Sequence, residues 1–181
     1  MDDNSANALR LRRSLAGPPG LVWEIWTRPE LIRCWFGSSF GFRAHDVAVD
    51  LRPGGKWSLR NVNGAITEQV CGTYHEVEPA RRLVKSYHFP GTELFSVISV
   101  ELAPEGDGTR LDFLQTGFPD ARARIDHARG WPNALKVMGE ALLAMHGIGT
   151  LWPKLPATRD LDGLARDLQT ARARLFEEPA E

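Results

Sequence analysis

Cysteine is scarce in this chain: Cys34 and Cys71 are the only two among 181 residues. They form no C-x-x-C pair, so neither a thioredoxin-like redox motif nor a zinc knuckle is indicated. One disulfide between them is conceivable, but two buried thiols are the expectation, because small apolar cysteine is common in cores. An excess of charge is lacking too, with a formal net charge of -1. Nucleic-acid binding leaves a basic footprint, and the many arginines here are offset by nearby acids, so no nucleic-acid partner is expected. No apolar run reaches the length of a membrane span, so no membrane partner is expected either. The stretch Met1-Asp2-Asp3-Asn4-Ser5 is acidic and polar and has no apolar signal region. The expected location is therefore cytoplasmic. The histidines (His45, His75, His88, His127 and His146) show no HxH, HExxH or paired His/Cys spacing. No metal and no cofactor are expected on that ground. A glycine-rich phosphate loop followed by a helix is also missing.

What is present suits one folded domain. Hydrophobic residues make up 43% and charged residues 25%, which fits neither a disordered nor a membrane-spanning chain. A chain of this length buries roughly two-thirds of its unfolded surface and needs no disulfide or metal to fold. Residues 8–15 alternate leucines with arginines and read as a first strand. Gly17-Pro18-Pro19-Gly20 stops it, and a short helix starts near Pro19, with Leu21, Val22, Ile25 and Trp26 on its apolar face. Thr27 is the expected N-cap of a second short helix, with Pro29 and Glu30 in its first turn and Gly37 at its end.

The middle of the chain is punctuated by Pro53-Gly54-Gly55, Asn63-Gly64, Glu78-Pro79, Pro90-Gly91 and Asp107-Gly108. Asn-Gly and Asp-Gly favour positive φ and mark hairpins, so the segments between form an antiparallel meander. Alternation places Trp57 and Leu59 opposite Ser58 and Arg60. It groups Ile66, Val70 and Tyr74 with Glu68, and Leu111 and Phe113 with Gln115. Residues 95–102 are apolar on both faces and read as a central or doubly covered strand. Asp50 and Arg52 flank the Pro53-Gly54-Gly55 turn as an ion-pair clasp. Residues 121–146 then form a long helix, with Trp131, Leu135, Met138, Leu142 and Met145 as one stripe. Pro132 implies that this helix starts or kinks near Trp131, and Gly147 and Gly149 end it. The expected fold is α+β: a curved antiparallel sheet of six or seven strands around a long C-terminal helix. Residues 1–149 form that domain. Residues 150–181 form an extension, with a proline-marked linker and an amphipathic helix over 158–176. Its leucine face is read as packing on its own domain, the alternative being a homodimer contact.

An ordered set of motifs resembles the START-like (SRPBCC) superfamily, of helix-grip fold. Within it, the chain resembles the branch named for homologues of the activator of the heat-shock-protein-90 ATPase. The residues that carry this are Arg13 with Pro18 and Pro19, Val22-Trp23, Trp26-Thr27-Arg28-Pro29-Glu30-Leu31 and Trp35-Phe36-Gly37. They continue with Asp50-Leu51-Arg52-Pro53-Gly54-Gly55-Lys56-Trp57, Gly72-Thr73-Tyr74-His75-Glu76-Val77 and Arg82-Leu83. Gly108-Thr109-Arg110-Leu111, His127, Gly130-Trp131 and Leu135 complete the set. The resemblance covers residues 8–147. It implies a fold more than a chemistry, because superfamily members carry lipids, bind hormones, cyclise polyketides or assist a chaperone.

The expected function is binding of a small hydrophobic molecule between sheet and helix, since a curved sheet leaves an apolar pocket there. The expected ligand-binding set is Trp26, Trp35, Trp57, Glu68, Tyr74, Tyr87, Phe95, Phe113, Gln115, Trp131, Leu135 and Met138. The bland reading of each aromatic is core packing. Glu68 and Gln115 stand out because both fall on otherwise apolar faces, where a carboxylate must be paired, solvated or protonated. The alternative for Glu68 is a register shift that places it outside. One competing function is a cyclase- or hydrolase-type enzyme using Glu68 or His127 as acid/base. His127 is otherwise read as a helix-end hydrogen-bonding group, or as sharing a proton with Asp126. A second competing function, suggested by the family name, is regulation of a chaperone ATPase.

Overall fold

The computed structural model describes residues 7–92 and 95–149, with backbone alone over 146–149. The first strand, β1 (Leu9–Ala16), leads into α1 (Pro19–Thr27), α2 (Pro29–Ile32) and a 3-10 turn at Ser38–Phe40. Six strands follow: β2 (Arg43–Val49), β3 (Lys56–Asn63), β4 (Ile66–Glu78), β5 (Arg82–His88), β6 (Phe95–Glu105) and β7 (Gly108–Thr116). The helix α3 (Ala121–Gly149) is the last of the described elements. All strand pairs are antiparallel, in the order β1-β7-β6-β5-β4-β3-β2. The meander pairs each strand with the next, and β1 returns to the far edge beside β7. The sheet curls around α3, as a helix-grip fold requires. No helix among the described residues is long and apolar enough to cross a membrane.

Period-two alternation selects the concave face. Trp57, Leu59 and Asn61 of β3, Val70, Gly72 and Tyr74 of β4, and Thr109, Leu111, Phe113 and Gln115 of β7 are all buried. The stripe Trp131, Leu135, Met138, Leu142 and Met145 of α3 is buried against them. Aromatic rings fill the space between helix and sheet: Trp131 lies 4.6 Å from Phe113 and Trp26 lies 4.9 Å from Trp35, centroid to centroid. Two indoles also spend their N–H groups on backbone carbonyls, Trp35 on Ile25 at 2.9 Å and Trp57 on Ser86 at 3.0 Å. Buried tryptophans commonly find such partners, but Trp26 Nε1 is buried without one among the described residues. The convex face is polar and carries exposed ion pairs such as Arg60–Asp46 and Arg82–Glu76.

Several expectations need correction. The strand over 95–102 is interior to the sheet but not doubly covered: Ser96, Ile98, Val100 and Leu102 are buried, while Phe95 and Glu101 are exposed. Thr27 does not cap α2. It is the last residue of α1, and its hydroxyl donates back to the Trp23 carbonyl at 2.7 Å, leaving Arg28 as the cap residue without a side-chain bond. The β3–β4 and β6–β7 turns sit one residue off the Asn-Gly and Asp-Gly readings. Each tip is a glycine at positive φ, Gly64 and Gly106, followed by Ala65 or Asp107, so glycine takes the first central position as a II′-type hairpin requires. The long helix starts at Ala121 and runs through Pro132. Its real N-cap is Asp120, which accepts from the Ala123 N–H at 2.7 Å. Proline removes one backbone bond there, and burial of the stripe on either side offsets that loss. Cys34 and Cys71 are both thiols, as expected, but Cys71 is only half-buried and lies 3.2 Å from His88 Nε2. The Asp50–Arg52 clasp is present, with Nε to Oδ1 at 3.0 Å. The amphipathic helix of the extension, and any dimer contact through it, lie outside the described residues.

Candidate ligand cavity

At one end of the grip the aromatic filling stops and a cavity of about 680 Å³ opens. Three parts of the chain wall it. The irregular segment 36–42 contributes Phe36, Phe40 and Phe42. The sheet contributes Asn61, Glu68 and Tyr87, the residue just after β5 contributes Phe89, and the first turns of α3 contribute His127, Trp131 and Ala134. Segment 36–42 is held against α3 by Ser39, whose hydroxyl donates to the Gly130 carbonyl at 2.5 Å. Asn61 and Glu68 are direct partners across the β3–β4 ladder, so both project toward the same end. Glu68 therefore shares the concave face with Val70 and Tyr74, but at its exposed end, where solvent reaches the carboxylate.

Beside these apolar walls stand Asn61, Glu68 and His127, and the charged Asp120, Arg122, Asp126 and Arg129. His127 Nδ1 lies 3.1 Å from Gln115 Oε1, and Gln115 Nε2 donates to Ser96 Oγ at 2.8 Å. This replaces the helix-end role expected of His127: its partner is a strand residue, β7 to α3. Asp126 does not share its proton either, because that carboxylate faces Arg122 at 3.0 Å and Arg129 at 3.6 Å. Burial pushes the His127 pKa down to about 4, opposed in part by the Asp126 charge, so the imidazole is neutral at neutral pH. Burial, reinforced by the Glu68 charge, raises the Tyr87 hydroxyl pKa. Asn61 Oδ1 is buried without a hydrogen-bond partner. Among the described residues no group of three or more His, Cys, Asp or Glu is placed to hold a metal ion.

The structure sorts the twelve residues of the expected ligand set into three groups. Glu68, Tyr87 and Trp131 line the cavity, together with His127. Trp26, Trp35, Trp57, Tyr74, Phe113, Leu135 and Met138 lie in the packed core, and Gln115 sits behind His127, fully buried. Phe95 is away from the cavity, 52% exposed and beside His88 on the opposite side of the sheet. Its position before Ser96 gives it the outward-facing parity of β6.

Sequence reasoning missed Phe40, Phe42, Asn61 and Phe89. Asn61 continues the Trp57, Leu59 alternation, and Phe89 continues that of Tyr87, so period two could have found both. Phe40 and Phe42 carry no such signal, because segment 36–42 is irregular. The letters Gly37-Ser38-Ser39-Phe40-Gly41 also spell Gly-x-Ser-x-Gly, but the context is a 3-10 turn rather than a strand-to-helix elbow, and the Ser39 hydroxyl is engaged by Gly130. Lys85 was overlooked as well. It faces inward between Leu83 and Tyr87, buried, and desolvation pushes its pKa down to about 7.

A family model described as activator of Hsp90 ATPase homolog 1-like protein matches residues 16–142. Among solved structures, the chain is similar to protein CV1439 from Chromobacterium violaceum, with TM-score 0.70 and 27% identity over 76% of this chain and 97% of that one. It is similar to protein NE0264 from Nitrosomonas europaea, with TM-score 0.67 and 26% identity over 80% and 99% of the two chains. Similarity to CalU16 from Micromonospora echinospora, at TM-score 0.59 and 23% identity over 94% and 88%, speaks to the fold alone. No curated protein matches the chain.

Proposed function

The chain belongs to the activator of Hsp90 ATPase homolog 1-like family, within the START-like superfamily, and on that premise we propose that it binds one small hydrophobic molecule in the cavity between sheet and α3. The observation that carries this reading is the abrupt end of the aromatic filling. Seven of the expected residues pack solidly, yet the space beyond Trp131 stays open at about 680 Å³. That volume lies in the range of drug-sized sites. Phe36, Phe40, Phe42, Phe89, Tyr87 and Trp131 supply apolar walls, beside polar groups that include His127 and Glu68, a combination that can hold and orient an apolar ligand.

A neutral fluorescent probe, N-phenyl-1-naphthylamine, tests the proposal. It should brighten with saturable binding to the wild-type protein. Ala134→Trp places an indole into the cavity from α3 and should weaken that binding about tenfold or more while leaving the fold intact. Equal binding by both proteins, or no binding by the wild type, rules the reading out.

A second reading is acid–base chemistry on the bound molecule. It is supported by Glu68 and His127 lining the same cavity, with the imidazole neutral and able to accept a proton. Unchanged turnover of a candidate substrate in both Glu68→Gln and His127→Phe removes it.

A further inference from the structure

The hydrogen bonds behind His127 leave little freedom in how its ring is protonated. Ser96 has one hydroxyl proton, and it goes to the Tyr87 carbonyl at 3.3 Å. The Ser96 oxygen is then an acceptor, which draws the amide nitrogen of Gln115 to it at 2.8 Å. The Gln115 carbonyl must therefore face the other way, and it lies 3.1 Å from His127 Nδ1. A carbonyl only accepts, so the ring proton sits on Nδ1. A neutral imidazole in that tautomer carries its lone pair on Nε2. The rings of Tyr87 and Phe118 stand edge-on to the imidazole, each centroid 5.2 Å away, and fix its plane. His127 lines the cavity, and its Nε2 makes no hydrogen bond to any described residue.

We infer that His127 Nε2 accepts a hydrogen bond from a ligand hydroxyl, so the cavity takes a neutral hydrophobic molecule bearing a free alcohol or phenol O–H. This rests on the ligand-binding reading above. Two further features agree. The Glu68 carboxylate lines the same cavity and pairs with none of the described residues, so it too presents acceptor oxygens. The arginines near the mouth, Arg122 and Arg129, both lie against the Asp126 carboxylate, which weakens their pull on an acidic ligand. An ether or ester of the same hydroxyl compound would leave the Nε2 lone pair unmatched in a buried site, which lowers affinity.

Two measurements on the full chain test this. Long-range 15N NMR of the wild-type protein reads the His127 tautomer, and the expected result is a protonated Nδ1 with a bare Nε2. Calorimetric titration then compares 2-naphthol with 2-methoxynaphthalene. The hydroxyl compound should bind about tenfold tighter, and that ratio should collapse to about one in His127→Phe. Should His127→Phe fail to fold, the wild-type tautomer and ratio still decide. A protonated Nε2, or equal wild-type affinity for the two naphthalenes, overturns the inference while the cavity reading stands. Binding of neither compound overturns the cavity reading itself.

Discussion

The ammonium nitrogen of Lys85 lies 3.8 Å from the centroid of the Trp57 ring, inside the concave face of the sheet. Among the described residues no carboxylate pairs with it. A cation in such a place is held by the ring's negative face, at a cost in lost hydration that the ring only partly offsets. Burial accordingly lowers the lysine pKa from its ordinary 10.5 to about 7.

Stability should therefore depend on pH through Lys85. In the window between about 7 and 10.5 the unfolded chain keeps a proton that the folded chain has released, so stability rises with pH there. The contribution is lost as pH falls through the folded pKa. Lys85→Met should stabilise the protein by about 1–2 kcal/mol near neutral pH and flatten the slope. Urea denaturation at both ends of the window checks this. A destabilised variant with an unchanged slope would contradict it.

His127 acts in the same direction at lower pH. Its folded pKa of about 4 lies below the ordinary 6.5, so between these values the unfolded chain binds the extra proton. Stability attributable to this group is fully present above 6.5 and is lost as pH falls toward 4. The thermal midpoint followed across this range should fall more steeply in the wild type than in His127→Phe. Parallel curves would count against a buried neutral imidazole.

Gly72 has a different constraint. A Cβ at this position would lie 2.0 Å from the Ser86 carbonyl oxygen and 2.6 Å from Trp57 Nε1. The Trp57 indole can reach that carbonyl only because nothing stands on Gly72. Gly72→Ala should cost about 3 kcal/mol or more, read as a drop in urea midpoint, with loss of the protected Trp57 indole proton in NMR. A midpoint within error of wild type would refute the account of this contact.

These residues also show what a sequence can reveal of such a site. The alternation Trp57, Leu59 and Leu111, Phe113 selected the concave face correctly, because a half-buried strand has one rule and it is local. The stripe from Trp131 to Met145 was legible for the same reason. Pro132 was read as a start or a kink because a local rule says so, and the helix continues because buried side chains on both sides outweigh one missing hydrogen bond. Tertiary packing decided that, and no window of sequence contains it.

The cavity was the least legible part. Its existence depends on where the tryptophans stop, which is a matter of volume rather than pattern. Phe40 and Phe42 reach it from a segment without periodicity, brought to α3 by the Ser39–Gly130 hydrogen bond across 91 positions of sequence. Glu68 and Gln115 were flagged because polar residues on apolar faces need a reason. Both do lie on the concave side, yet the pattern gave no hint that Gln115 is fully buried behind His127 and hydrogen-bonded to its ring.

Amide chemical-shift mapping during titration of the full chain with 2-naphthol tests the central claim most directly, because it reports location as well as affinity. The account predicts saturable shifts concentrated in residues 36–42, at Tyr87 and Phe89, at Asp120 and along α3 from Ala121 to Ala134. Shifts centred on the outer face around His88 and Phe95, or none that saturate, would contradict it.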